Sequence, residues 1–512
     1  MNVKHAALCL SVVIVNYPIA AEAQSASKII ERHIQAIGGK QAVERIVSTD
    51  VSGSIRSADG RSGVFTQRTT RPHLFSLSLS WGDSRWRTGF NGRSAWQDDS
   101  LDGWRTLYGQ AASRVRAEAT YANAHFMMSE KVSQVSVAGP DQVHGHPVIV
   151  VVAVTPDGMK RTLCFDAKSY MLVKDEQQAD AGVDERFFED YRPVDRVMEP
   201  HRIEWHRNGE TLRIAVERVT HNAPIDGQVF DVPAAPAEPP LDIDAVLSAA
   251  GRSEQRAERL RPSYAYTRTW TFGRIDEQGK VTRHEGPAFD VFHLGGQPIG
   301  RQITKVRGEA LSEAERRRED ERVNNVVREY EQQRASGRVR PPRQGGLSAA
   351  SVVLSNLWGS AVLQIPMMTA GWFPAYLRVS DFSHTRRERV RGRAAVVVEF
   401  QPKRGVLPDG DFERQVSAMA GTLWIDDASH DVIRIESYFV DDYNHIVPGS
   451  SLWMEQTLVN DEVWLPSHIE LNLRRGVNFG KFLQSLLTVS FTGHKKFGVQ
   501  TDTTVTLPEV GR

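Results

Sequence analysis

The sequence predicts an α+β chain made of two antiparallel β units in tandem, each opened by a helix. Three observations predict it. A strand–turn–strand segment is written twice. Two helical openings are separated by a proline-rich stretch. The strands between them alternate polar and apolar residues with Gly-bearing turns, as antiparallel sheets and barrels do.

The doubled segment is RTLCFDAKSYMLVKDE, Arg161 to Glu176, and GTLWIDDASHDVIRIE, Gly421 to Glu436. Thr162, Leu163, Asp166 and Ser169 match Thr422, Leu423, Asp426 and Ser429, and Lys174 matches Arg434 in charge. Two further landmarks keep the same order. Val143-His144-Gly145-His146 precedes PVIVVVAV as Val390-Arg391-Gly392-Arg393 precedes AAVVVEF. Pro200-His201-Arg202-Ile203-Glu204 is matched by Pro466-Ser467-His468-Ile469-Glu470. The distance between matched landmarks grows steadily along the chain, as an internal duplication with loop insertions requires.

The elements follow in order. Residues 1–23 read as a signal peptide: basic Lys4, an apolar run from Ala6 to Val15, and Ala21-Glu22-Ala23 before Gln24. The run is shorter than the roughly 20 residues that span a bilayer. A lipoprotein signal at Cys9 fits poorly, because Leu8 stands where a small residue is expected. The expectation is a periplasmic or exported protein, cleaved near Ala23. The first unit is 24–232. It opens on a helix carrying Ile29, Ile30, Ile34 and Ile37, broken at Gly38-Gly39. HLFSLSLSW then places Phe75, Leu77, Leu79 and Trp81 on one face of a strand and serines on the other. A helical interruption follows over about 110–131 and includes Phe126 and Met127.

Residues 233–240, PAAPAEPP, form a stiff linker that neither helix nor central strand tolerates. The second unit is 241–512. A helix over Leu241 to Leu260 opens it, and YAYTRTWTF from Tyr264 is its early strand. A charged insertion spans about 309–345, where Ser312-Glu313-Ala314-Glu315 is a capping box opening a helix to about Arg334. Its simplest reading is a solvated helix. From Val352 to Phe373 the chain is apolar on nearly every side, with Asn356, Ser360 and Gln364 in one narrow stripe. This segment fits two placements: a packed core helix, or a lid over an apolar cavity. The lid reading puts Leu354, Leu357, Trp358, Ala361 and Ile365 toward the second sheet. Met367 and Met368 add adaptable surface, and Phe126 and Met127 do the same for the first unit.

Composition excludes some functions. Of 512 residues, 40% are apolar and 25% charged, and Lys+Arg and Asp+Glu are 63 each. No net field recruits nucleic acid. Past the signal only Cys164 remains, so no internal disulfide forms, and its place between Leu163 and Phe165 reads as structural. GxSxG, HExxH and phosphate loops are absent. His144 and His146, with His201 and His206, are the nearest metal pattern, but the repeat carries Arg391 and Arg393 instead. Asp441 to His445 reads as a polar loop. No metal, cofactor or catalysis is expected.

An opening helix ending Ile-Gly-Gly-Lys-Gln-Ala, then STDVSGSIRS, GFNGRSAWQ and FFEDYRPVDRVMEPHRIEW, resembles the outer-membrane lipoprotein-sorting (LolA-like) family. The resemblance covers most of Ser25 to Pro233 and, through the repeat, extends more weakly over Leu241 to Val505. It departs from the family at Asp195-Arg196, where relatives often have Gly. It implies two tandem incomplete antiparallel β-barrels (half-barrels), each covered on its concave face by helices. The implied function is a carrier or binding protein for lipid, acyl chain or lipoprotein. The alternatives are an envelope scaffold or interaction module on the same fold, with envelope proteins as partners, and a metal-dependent hydrolase.

Overall fold

A computed structural model of the protein describes residues 25–123, 134–155, 158–179, 182–207, 209–232, 241–276, 280–336, 371–476 and 482–497. The expected signal peptide, the linker 233–240 and the apolar segment around Trp358 lie outside them. The described chain is mostly β with some helices. It forms two large antiparallel sheets, and neither closes into a barrel. No described helix is long and apolar enough to cross a membrane.

The first sheet holds thirteen strands. Six precede a helix: β1 (Ser48–Ser57), β2 (Ser62–Thr70), β3 (Leu74–Trp81), β4 (Ser84–Phe90), β5 (Ala95–Asp99) and β6 (Gly103–Thr106). Seven follow it: β7 (Gln134–Val143), β8 (His146–Val154), β9 (Lys160–Asp166), β10 (Leu172–Ala179), β11 (Gly182–Val194), β12 (Val197–Arg207) and β13 (Glu210–His221). Each run is a meander, and β1 pairs with β13 to join them. The second sheet holds ten strands. Three come first: β14 (Tyr264–Ile275), β15 (Val281–Leu294) and β16 (Gln297–Thr304). Seven follow: β17 (Ser380–Val390), β18 (Arg393–Pro402), β19 (Met419–Asp426), β20 (Val432–Phe439), β21 (Ser451–Val459), β22 (Val463–Gly476) and β23 (Phe482–Lys496). Here β14 pairs with β23, so the two sheets share one plan.

The sequence repeats fall at matching places in that plan. In the first sheet Thr162 pairs with Glu176 and Cys164 with Lys174, Val173 bulges, and Phe165 pairs with Leu172. In the second Thr422 pairs with Glu436 and Trp424 with Arg434, Ile433 bulges, and Ile425 pairs with Val432. The matched Asp explains the turn. Asp166 Oδ1 accepts from the backbone N–H of Lys168 and Ser169 at 3.1 and 2.7 Å. Asp426 Oδ1 accepts from Ala428 and Ser429 at 3.2 and 2.9 Å, the Asx turn that favours Asp there. The β7–β8 and β17–β18 turns put Gly145 and Gly392 at φ 81°, the left-handed backbone a two-residue hairpin needs. Asp195 and Arg196 take φ 45° and 72° without glycine, as Asn460 and Asp461 do at the corresponding turn.

Helices cover one face of each sheet, here called the inner face. α1 (Ala26–Ala36) and α2 (Lys40–Glu44) precede β1, and α3 (Gly109–Ala122) links β6 to β7. Ser25 caps α1, whose Ile29, Ile30 and Ile34 pack on Val151, Leu163 and Phe165. α4 (Ile243–Leu260) precedes β14. α5 (Glu313–Ala335) and α6 (Trp372–Val379) lie between β16 and β17, and α7 (Gly410–Val416) between β18 and β19. The capping box of α5 forms as the spacing predicts. The helix is largely exposed, with Val323 buried, and one side of it touches the sheet: Glu319 accepts from Gln302 N–H at 2.7 Å and Arg322 donates to the Gly300 carbonyl at 2.5 Å. These bonds satisfy backbone groups of the edge strand β16 that would otherwise invite pairing.

Candidate functional site

Phe126, Met127, Leu354, Leu357, Trp358, Ala361, Ile365, Met367 and Met368 all lie outside the described residues. The described inner faces differ sharply. In the second sheet, Trp372, Phe373 and Tyr376 of α6 and Phe412 of α7 pack on Val396, Phe400, Leu423 and Ile435. Trp372 and Tyr376 are fully buried, with ring centroids 5.6 Å apart, and Phe400 lies 5.2 Å from Tyr376. Trp372 Nε1 donates to Glu254 of α4 at 2.7 Å, and Arg261 pairs with the same carboxylate at 2.6 Å. This is a close-packed core.

The inner face of the first sheet contains a cavity of about 250 Å³. It lies between α1–α2, α3 and the sheet. Ile37 and Val43 wall it from the helices, and Val51, Phe65, Ile203, Trp205, Ile214 and Val216 from the strands. The volume is near the lower limit of the ~300–1,000 Å³ typical of ligand sites. It corresponds to roughly eight water-sized groups at ~30 Å³ each, room for one chain segment rather than several.

Polar groups mark the cavity's margins. Glu118 of α3 and Arg186 of β11 line it and meet at 2.8 Å. Arg161 and Arg186 also pair with Asp175, at 2.9 and 3.0 Å. Burial works against the Glu118 charge, but the two guanidiniums hold its carboxyl at about 2. His33 faces the cavity from α1. Burial lowers its pKa to about 4 even though the Tyr170 carbonyl, 2.9 Å from Nδ1, favours the proton. It is therefore neutral at pH 7. Arg71, at the end of β2, donates to the Val43 and Glu44 carbonyls, both at 2.9 Å, and ties α2 to the sheet. The Trp205 indole N–H is buried without an acceptor.

The sites considered for catalysis do not assemble. Cys164 faces away from the cavity, with Val148 and Val150, and burial pushes its thiol up to about 11. His144 and His206 sit against the ring of Phe187, at 4.8 and 5.1 Å. His201 Nδ1 meets the Glu199 carbonyl at 2.9 Å. Among the described residues no three His, Cys, Asp or Glu side chains gather to hold a metal. Asp441, Asp442 and His445 are exposed.

Three carboxylates that the sequence reading passed over join the halves. They stand on the outer face of the second sheet. Glu399 accepts from Asn91 and Arg93 at 3.0 Å, from Arg386 at 2.9 Å and from Ser94. Burial opposes its charge, but Arg386 and Ser94 hold its carboxyl below the usual range. Glu388 accepts from the Thr106 N–H at 3.2 Å. Glu436 accepts from the Gly109 N–H at 2.8 Å and from Arg116 at 2.9 Å. Burial pushes the Glu436 carboxyl up to about 7, against the pull of Arg116. Tyr108 lies between Trp424 and Trp453, with the Arg434 guanidinium 3.5 Å from its ring. For Glu399 the signal is present in the sequence: it breaks the otherwise apolar run AAVVVEF. Its partners, some 300 residues away, are not.

No family model matches the chain, and no curated protein matches it. Solved structures do. A LolA superfamily protein from Nitrosomonas europaea is 13% identical, covers 41% of this chain and 98% of its own, and has a TM-score of 0.29. An outer membrane lipoprotein-sorting protein domain from Vibrio parahaemolyticus is 11% identical, covers 40% and 96%, and has a TM-score of 0.28. The Pseudomonas aeruginosa MucA/MucB complex gives 8% identity, coverage of 93% and 99%, and a TM-score of 0.18. The first two carry the name of the family that the sequence motifs resemble.

Proposed function

We propose that the protein binds one apolar chain, from a lipid, a fatty acid or a lipoprotein acyl group, in the cavity of its first half. It carries or presents that chain in the cell envelope and performs no catalysis. The cavity supports this reading: an apolar wall with charged groups at its margins and room for one chain segment. Burying a methylene gains ~0.8 kcal/mol, so about eight of them gain roughly 6 kcal/mol before ordering costs. That gross gain, taken alone, falls between the millimolar and micromolar ranges; ordering costs weaken it further, which suits release. Native mass spectrometry of the mature protein, followed by organic extraction, tests it. A bound single-chain lipid is expected, and a ligand-free protein that also fails to bind added fatty acid would contradict it.

The halves 24–232 and 241–512 are, on this reading, two copies of one unit joined by 233–240, which have diverged in what their inner faces hold. Export follows from the N-terminal signal, and the mature chain should begin at or near Gln24. The filled second half and its polar joint also support a second reading, an envelope interaction module. In that case envelope proteins co-purify and lipid does not.

A further inference from the structure

The last turns of α4 and the turn between β19 and β20 flank an open groove of about 470 Å³. Arg252, Arg256 and Arg259 line it from the helix, and Ser429 and His430 from the turn. Among the described residues no aspartate or glutamate lines it. The groove lies apart from the packed core around Trp372, and none of these five side chains belongs to that core.

The three arginines recur at i, i+4 and i+7, one stripe of the helix, and all are exposed. α4 sorts its charges. Glu254 is held by Trp372 and Arg261, and Glu258 accepts from the Gly371 N–H at 3.1 Å. Asp431, just past the turn, meets Arg256 at 3.5 Å, and Arg256 also donates to Ser253 Oγ at 2.9 Å. That holds Arg256 in place. Among the described residues these ion pairs leave Arg252 and Arg259 without a carboxylate. Like charges one turn apart repel. The dipole at the helix C-terminus accounts for Arg259, but not for Arg252, two turns earlier.

The matching turn of the first half is satisfied from within. Tyr170 stands where His430 does, at the same φ of 59°. Arg32 of α1 lies 5.0 Å from the Tyr170 ring centroid and donates to its hydroxyl. Both helices lean on their turns: His33 Nδ1 meets the Tyr170 carbonyl at 2.9 Å, and Ser253 Oγ donates to the Ser429 carbonyl at 3.1 Å. In the second half the ring that takes up an arginine is replaced by a smaller imidazole, and the helix presents three arginines to the space.

We propose that this groove binds phosphate, carried either by the head of a phosphorylated lipid or by a soluble phosphate compound. A phosphate offers three or more oxygens, so guanidinium forks can meet it from several sides, which the two oxygens of a carboxylate do not allow. The volume corresponds to roughly sixteen water-sized groups at ~30 Å³ each, more than one bare phosphate fills. The site is separate from the first-half cavity and does not depend on it.

Two measurements on the mature full-length chain separate the sources. One is calorimetric titration with inorganic diphosphate. The other is sedimentation with phosphatidylcholine vesicles containing phosphatidic acid, against phosphatidylcholine alone. The chain is expected to bind diphosphate, the acidic vesicles or both. Retention by the acidic vesicles assigns the lipid head, and diphosphate binding without it assigns the soluble compound. Arg252→Gln combined with Arg259→Gln should weaken the binding about tenfold. Arg316→Gln combined with Arg317→Gln removes the same charge from α5, where both arginines pair with Glu313. It should leave binding within about twofold of the parent. His430→Tyr, which restores the first-half side chain, should also weaken binding by occupying the groove. Failure to bind either diphosphate or the acidic vesicles would overturn the proposal. Equal weakening by the α5 pair would overturn it too, since that marks unspecific charge attraction, as would parent-like binding by the Arg252→Gln and Arg259→Gln variant. If that variant does not fold, His430→Tyr decides: parent-like binding overturns the site.

Discussion

The two sheets follow one strand plan, yet among the described residues one inner face holds a half-open cavity and the other is filled around Trp372 and Tyr376. The register places the difference at identifiable residues. Val51, Gly53 and Ile55 of β1 correspond to Tyr266, Arg268 and Trp270 of β14, larger at each position. α6 and α7 then add Trp372, Phe373, Tyr376 and Phe412 on the same side. What a sheet of this kind encloses is thus decided by a few side chains and a short helix, while strand order and turns stay fixed. The halves also play unequal parts at the joint, where the second sheet supplies carboxylates and the first supplies arginine, hydroxyl and backbone donors.

The comparison can be broken most forcefully in the solid half. Trp372→Ala should cost about 3–5 kcal/mol, measured by denaturant unfolding. Ile203→Ala, in the cavity wall, should cost less than about 2 kcal/mol because its surroundings are already incompletely packed. Equal losses would mean that the first half is as solid as the second. At the joint, Glu399→Ala leaves Arg93 without its buried counter-charge and Arg386 with Glu388 alone, and should cost about 3 kcal/mol. Its unfolding should split into two transitions by calorimetry, one for each half. A single parent-like transition would show that Glu399 is not what couples them.

Acid should distinguish the halves next. The folded pKa of His33, about 4, lies below its ordinary 6.5, so the unfolded chain takes up the proton first. Stability present above pH 6.5 is lost as pH falls toward 4, on the order of 3 kcal/mol at most. Glu118, held at about 2, adds a further loss below its ordinary 4.5. Hydrogen exchange should therefore show protection falling in α1 and β8–β10 before the second half, and His33→Gln should flatten the upper part of that slope. Val51→Phe should have the smallest effect on stability, within about 1 kcal/mol, because it grows into empty space. It should nonetheless block a fluorescent fatty acid from the cavity, measured by displacement.

Much of the fold is legible in the sequence because it is local. The Asx turns, the Gly145 and Gly392 hairpins, the caps of α1 and α5 and the period-2 strand at Phe75 each follow from a few adjacent residues. The cavity is not local. It depends on β1 meeting β13, a pairing such as Thr49 with His221, and on comparing Val51 with Tyr266, which needs the register first. The segment around Trp358 is conspicuous for its apolar content, whereas the apolar cavity of the first half is lined by residues as ordinary as Val216 and Ile214. The docking of the charged helix α5 is hidden for a similar reason. Its acidic and basic residues look solvated until β16 is beside them.

Crystals of the mature protein soaked with a neutral bromoalkane of about eight carbons test the central claim most directly. The anomalous bromine signal should appear between α1–α2 and α3, among Val51, Ile203 and Trp205, and should be absent from the Trp372–Tyr376 core. Bromine in that core, or none among the residues of the first-half cavity, would contradict the assignment of a hollow, chain-binding first half and a solid second one.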